Sequence, residues 1–170
     1  MIILDAGPVN VITQKLYDSL LELVFISSLE CPHCHHHAFI YHGVYSRRVK
    51  DSAGLSELIV QRVRCRECGH THALLPAFLI PYCQIALSAA IRIIQASSPN
   101  EKEEIMRSNP SIDESDIVHV SRKWKSEWRE RLKAFNIAMN FHLTELCILN
   151  HGHQFLQNHC RSPVSFHTTT

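Results

Sequence analysis

Four cysteines carry the clearest chemistry in this sequence. Cys31 and Cys34 stand in "CPHC", Cys65 and Cys68 in "CREC", and the second pair runs directly into Gly69. A tetrahedral Zn2+ takes four soft ligands, and a Cys-x-x-Cys turn sets two thiolates on one side of the ion while its backbone amides soften their charge. Two such turns fill the shell, so the spacing predicts one structural Zn2+ held by Cys31, Cys34, Cys65 and Cys68, with no position open for water. His33, His35, His36 and His37 crowd the first turn. Four thiolates already saturate the ion, so these histidines are expected to face solvent or to pack, and a mixed shell using His33 or His35 is the lesser alternative. The residue after each pair differs: Gly69 suits a positive φ, whereas His35 tolerates one less well. Neither pair opens a helix in a βαβ pattern, which speaks against thioredoxin-like redox use.

Such a site needs strands to bring the two turns together, and the intervening sequence supplies them. "AFIYHGVYSRRV" (38–49) and "LSELIVQRVR" (55–64) are rich in β-branched and aromatic residues and are joined by the turn-forming "KDSAG"; "THALL" comes after Gly69 as a third short strand. Alternation along the second strand puts Arg62, Arg64 and Arg66 on one face and Ile59 and Val63 on the other. "LLPAFLIPY" (74–82), with Pro76 and Pro81, ends strand pairing and is expected to pack as an apolar bridge between the two halves of the chain.

Beyond it the texture is helical, with segments expected at 84–96, at 100–107, and from Asp113 or Ser115 to about Phe135. Asp113, Glu114 and Asp116 crowd the start of the last helix, where the dipole favours acidic groups. Trp124, Trp128, Leu132 and Phe135 form an apolar stripe expected to face a neighbouring helix, and Arg122, Lys125, Arg129 and Lys133 occupy another face. The expected fold is α+β: a small antiparallel zinc ribbon (31–82) followed by a helical, helix-turn-helix-like domain (83–135). Residues 1–30 are expected to pack on the ribbon, and 136–170 to form a C-terminal packing helix and a loose tail. His151, His153, His159 and Cys160 in that tail lack paired spacing and predict no second metal site.

Composition narrows the function classes. Hydrophobic residues make up 45% and charged ones 19%, a globular balance. A net charge of +1 means that a polyanion would have to be met by a local patch. Seven cysteines and no basic leader predict reduced thiols in the cytoplasm, and the most apolar run, Leu20 to Leu29, is too short to span a membrane. No Ser-His-Asp set, Gly-rich phosphate loop or sheet-borne carboxylate trio is recognisable, so no enzymatic activity is expected.

"CPHC", "HGVYSRR", "RVRCRECGHTHALLPAFLIPY" and, after the expected helix-turn-helix, "WRERL" together resemble a family of short uncharacterised bacterial proteins carried as a domain of unknown function. Its members look like the N-terminal zinc ribbon and DNA-binding part of insertion-sequence transposases. The resemblance implies the same four zinc ligands and no established activity. His35 departs from the glycine common in such turns.

The resulting expectation is a non-enzymatic protein that binds double-stranded DNA, transposase-like or transposon-associated, possessing no catalytic domain of its own. Arg47, Arg48, Arg62 and Arg64 would neutralise phosphates while the long helix, through Arg122, Lys125 and Arg129 and with Lys133 on the same face, enters or braces against a major groove. A protein partner such as a transposase fits this reading; a membrane or small-molecule substrate does not. The principal alternative is a zinc-ribbon module for protein–protein interaction, and a weaker one is a labile metal site in the histidine run.

Overall fold

The computed structural model of the chain describes residues 1–4, 6, 9, 11–128 and 163–164. The architecture is mixed α+β. Strand β1 (Ile2–Leu4) is followed by helix α1 (Gln14–Glu22), then by β2 (Phe39–Asp51), β3 (Gly54–Cys65) and β4 (Thr71–Pro76). Helices α2 (Leu87–Gln95), α3 (Pro99–Ser108) and α4 (Glu114–Lys123) come next, and α4 runs on into a π-helical turn, Trp124–Trp128. A short β5 (Pro163–Val164) completes a five-stranded sheet in the order β2-β3-β4-β1-β5. The three strands expected between and after the cysteine turns are present with nearly the expected bounds, and so are the two shorter helices. The last helix is regular to Lys123 and its hydrogen-bonding pattern changes at Trp124; Arg129, Leu132, Lys133 and Phe135, in the expected continuation to about Phe135, lie outside the described residues.

Two features of the sheet were not anticipated. The first is β1, which pairs parallel with β4 from Ile2↔Leu74 to Leu4↔Pro76 and so extends the antiparallel β2–β4 unit. The second is a bulge in β2, where His42 and Gly43 oppose the single residue Arg62, because pairing passes from Tyr41↔Val63 to Val44↔Gln61. Gly43 has φ +90, a conformation open to glycine at no steric cost. Side-chain phase along β2 therefore reverses at the bulge.

The simple alternation reading of β3 is only half right. Val63 and Cys65 are buried on the face shared with Phe39, Leu74, Ile2 and Leu4, beneath the cysteine turns. Leu58 and Val60 are buried on the opposite face, with Val49, Leu75 and Ile3. Each end of β3 is covered on a different side, so Ile59, expected to share Val63's buried environment, is 43% exposed.

Helix α1 finishes the job that β4 leaves undone. Pairing of β3 with β4 stops at Arg62↔Ala73, which would leave the backbone of Ile59 and Gln61 open as an edge. The Gln14 side chain accepts from Ile59 N (2.8 Å) and donates to Ile59 O (3.3 Å). Tyr17 Oη accepts from Gln61 N (2.8 Å) and donates to Leu74 O (3.0 Å), standing in for the next rung of the ladder. Burial pushes the Tyr17 phenol well above its usual range, although the Gln61 amide works against it, so it remains a neutral donor at that rung.

The helices share one apolar cluster: Leu87, Ala90, Ile91 and Ile93 of α2, Ile105 of α3, Ile112 of the turn, and Ile117 and Val120 of α4, with Trp124 packed against it. Sequence dictates their boundaries. Ser98 and Glu101 form a capping box at α3, with Pro99 just inside the start, and Asp113 and Asp116 form another at α4. The connection from β4 contributes to both regions, with Ala77, Phe78 and Leu79 in the sheet cluster and Ile80 and Cys83 in the helical one. No helix among the described residues is long and apolar enough to cross a membrane.

Candidate metal centre

The two cysteine turns have the same backbone construction. In the first, Cys31 N donates to His36 O (2.9 Å) and His35 N to Cys31 O (2.9 Å); in the second, Cys65 N donates to His70 O (2.9 Å) and Gly69 N to Cys65 O (3.0 Å). Closing a turn this tightly forces the residue after the second cysteine into the left-handed region, and it does so in both, at φ 63 for His35 and φ 73 for Gly69. The sequence difference at this position therefore produces no structural difference. His is among the residue types that tolerate this region better than most.

The turns sit at the same, open end of the β2–β3 hairpin, one before Phe39 and one after Cys65, and Phe39↔Cys65 pairing brings them face to face. Cys31 Sγ lies 3.6 Å from Cys68 Sγ, Cys34 Sγ lies 3.5 Å from Cys65 Sγ, and all four sulfurs fall within 4.8 Å of one another. A tetrahedral ion with metal–sulfur bonds of about 2.3 Å has sulfur–sulfur edges of about 3.8 Å. The four sulfurs thus stand where one tetrahedral ion would hold them, and Cys31, Cys34, Cys65 and Cys68 could hold a metal ion. Cys31 and Cys65 are fully buried, whereas Cys34 and Cys68 are half-buried at the surface.

The electrostatics suit a cation. Burial opposes ionisation of Cys65, but the backbone amide of Cys68, the Cys34 thiol and the Glu67 amide all stabilise its thiolate, and together they bring it down to about 7. At Cys34 the His36 amide favours the thiolate, yet burial and the neighbouring Cys65, Cys68 and Cys31 sulfurs push it up to about 12. One negative charge is thus readily formed in the cluster and further ones are resisted. A bound dication removes that resistance.

His72 supports the centre from behind. It is buried, with Nε2 3.5 Å from Cys31 Sγ and Nδ1 2.8 Å from the Met1 ammonium. Burial, then the ammonium, then His70 and His33 hold it down to about 4. A neutral ring whose Nδ1 accepts from an ammonium carries its proton on Nε2, so His72 donates that proton towards the sulfur of Cys31. No sequence signal marks His72, because it stands in β4, four residues after Cys68 and outside the Cys-x-x-Cys spacing.

The histidines of the first turn are exposed. His35 Nδ1 contacts Glu30 at 2.5 Å, and His36 Nδ1 is held at the Cys34 carbonyl, 2.9 Å away. His33 stacks on His70 with ring centroids 3.8 Å apart, and with Cys68 these two bring three ligand atoms within 4.8 Å. This group is exposed and shares Cys68 with the four-cysteine cluster; among the described residues no other such group is gathered.

His35 offers a test of the turn. His35→Gly is expected to change stability by less than about 1 kcal/mol, since relief of the positive φ is offset by glycine's greater freedom in the unfolded chain. Gly69→Ala should destabilise by about 1 kcal/mol, although the only atom near the added Cβ is Arg64 Nη2 at 3.6 Å, because the penalty there is conformational. Thermal denaturation of the two variants beside the parent measures both.

The basic residues fall into distinct settings. Arg48 and Arg64 are exposed, and Arg64 Nε also donates to Gly69 O (3.2 Å), bracing the second turn. Arg47 is half-buried and its Nη2 donates to the carbonyls of Ile80 and Cys83, the latter at 2.6 Å. Arg62 is half-buried as well, and its Nε has no hydrogen-bond partner among the described residues. Arg122 and Lys125 are exposed and line a groove with Lys102. Arg129 and Lys133 lie outside the described residues.

Residues 31–114 match the model of a family described as a domain of unknown function (DUF6431). The match begins at the first cysteine of the cluster and ends in the first turn of α4, so it takes in both cysteine turns, the β2–β4 unit and the two helices after it. No curated protein and no solved structure matches the chain.

Proposed function

We propose that the chain is a non-catalytic DNA-binding protein in which a zinc-stapled ribbon supports a helix-turn-helix, and that it acts like, or alongside, a transposase. Zinc is the ion proposed because four thiolates in tetrahedral array select zinc or iron, and zinc is the common structural choice for paired Cys-x-x-Cys turns. In this reading α3, the turn at Asn109–Asp113 and α4 form the helix-turn-helix, with α2 packed across them. The observation that carries it is the groove of about 470 Å3 along α4, lined by Lys102, Arg122 and Lys125 with Ser121 and Ser126 and, among the described residues, by no acidic one. Such a surface matches the phosphate backbone in charge and offers hydroxyl groups for further contacts.

The acidic first turn of α4 limits how the helix could lie on DNA. Lys50 Nζ is 2.6 Å from Asp116 and 3.6 Å from Asp113, so two of these acids are engaged with the sheet. Phosphate contact then falls to the C-terminal half of the helix, through Arg122 and Lys125, while Arg48 and Arg64 of the ribbon supply further charge.

Fluorescence anisotropy of a labelled duplex with hydroxyl ends, titrated with zinc-loaded protein at several salt concentrations, tests this. About six phosphate contacts predict a loss of about 10^3 in affinity between 50 and 200 mM salt. Arg122→Ala should weaken binding to all sequences alike and lower the salt slope by about one. Absence of binding at low salt would reject the reading. A protein partner is then the second reading, favoured by an exposed apolar stripe of Tyr41, Val44, Leu55 and Ile59 on the β2–β3 hairpin.

A further inference from the structure

We propose that the cavity between the sheet and the Pro81–Gln84 loop is a binding site for a phosphate monoester, with Arg62 as its principal donor. Such a site does not involve α4, although it shares Arg48 with the proposed DNA-binding surface. The cavity has a volume of about 690 Å3, within the usual range for small-ligand sites. Tyr45 and Arg47 of β2, Arg62 of β3, and Ala73 and Leu75 of β4 line its sheet side, and Tyr82 and its neighbours form the opposite wall.

Charge identifies the ligand class. Arg47, Arg48 and Arg62 all line the cavity and, among the described residues, no Asp or Glu does. Among the described residues none of the three is ion-paired. Arg47 is tethered to the carbonyls of Ile80 and Cys83, which fixes the loop over the cavity but leaves the guanidinium charge unneutralised. A single carboxylate would balance one of these charges, whereas a phosphate monoester carries between one and a half and two negative charges at neutral pH.

Arg62 adds the geometric argument. Its Nε is buried without a partner among the described residues, and a buried donor left unpaired is costly enough that native proteins rarely keep one without a purpose. The bulge at His42–Gly43 lies directly opposite Arg62, so the strand is irregular at the point where this side chain departs. With Nε buried, the outer edge of the planar guanidinium is left to present its two Nη groups side by side, an arrangement that pairs with two oxygens of a phosphate. Tyr82 marks the loop side: it holds φ 58, unusual for a bulky residue, and is 78% exposed. Backbone strain of this kind concentrates at ligand sites, and the phenol ring supplies a flat surface for an aromatic group attached to the phosphate.

The phosphate could arrive on a free nucleotide or on the 5′ end of a nucleic-acid strand. Isothermal titration calorimetry of the full, metal-loaded chain with deoxyadenosine 5′-monophosphate and with deoxyadenosine tests the shared chemistry. Saturable binding of the monophosphate and at least tenfold weaker binding of the nucleoside are expected. Arg62→Met should weaken the monophosphate at least tenfold. Gln84→Glu, which brings an acid to an exposed position of a lining that holds none among the described residues, should also weaken it while leaving the thermal midpoint unchanged, so a folding defect in the first variant does not decide the matter. Equal binding of nucleotide and nucleoside, no binding of either, or full binding by both variants would overturn the proposal. Tighter binding of a 5′-phosphorylated oligonucleotide than of its 5′-hydroxyl counterpart and of the free nucleotide assigns the site to strand ends; equal affinity for oligonucleotide and nucleotide assigns it to the free compound. The hydroxyl-ended duplex used for the α4 groove keeps the two readings separable.

Discussion

Cys65→Ser is expected to lower the thermal midpoint by about 10 °C and to abolish stoichiometric metal binding. Cys65 is fully buried in the cluster that contains Phe39, Val63 and Leu74, and its sulfur faces Cys34 at 3.5 Å. Serine supplies a hard, neutral oxygen where the site needs a soft thiolate, and metal affinity in such centres is folding free energy. A loss of about 3 kcal/mol or more corresponds to a shift of that size for a chain of this length. Cys83 provides the comparison: it is buried too, but in the helical cluster and away from the four sulfurs. Cys83→Ser should therefore shift the midpoint far less and leave the metal in place. Circular dichroism melting with metal analysis of both variants and the parent decides the matter, and equal melting of Cys65→Ser and the parent, with no metal bound by either, would show that the four cysteines are merely clustered thiols.

The second large effect is expected at Asp51. This residue is only 1% exposed, yet it stands at the end of β2 where three parts of the chain meet. Its carboxyl accepts from Ile12 N (2.6 Å) and from Ala53 N (2.8 Å), and its backbone carbonyl accepts from the Asn109 side-chain amide. Lys50 beside it donates its amide to Gln84 O (2.7 Å), accepts from Ala86 N (2.9 Å), and places its ammonium on Asp116. The hairpin end, the segment before α1 and the helical unit are thereby fastened through two consecutive residues. Asp51→Ala orphans two backbone donors, one of them buried, and should destabilise the fold by about 3 kcal/mol. Asp51→Asn retains one acceptor and should lose roughly half as much on the same accounting. Urea denaturation of the two variants measures both; a loss below about 1 kcal/mol for Asp51→Ala would mean that water replaces the carboxyl.

How much of this was legible in the sequence varied with the range of the interaction. The cysteine cluster was legible because two Cys-x-x-Cys turns encode their own local geometry and the strands between them announce themselves by residue type. Capping boxes at Ser98 and Asp113 likewise act within one turn of helix. Helix α1 and strand β1 were not legible: the apolar run around Leu20 carries no strand or helix label of its own, and its role comes from Gln14 and Tyr17 reaching Ile59, Gln61 and Leu74. Nor could alternation reveal that β3 is covered on opposite faces at its two ends, because that depends on what packs against each face.

The sequence by itself thus determined a four-thiol cluster, an antiparallel unit to carry it and helices beyond, since each rests on contacts close in the chain or on the paired Cys-x-x-Cys spacing. Tertiary structure alone decided the rest. It put His72 behind Cys31, made Asp51 a buried junction, and divided the arginines expected to act together into exposed Arg48 and Arg64, tethered Arg47 and the half-buried Arg62, whose Nε has no partner among the described residues. The physical reason is that the environment of a charged or polar side chain is set by groups distant in sequence, and no local pattern records which of them arrive.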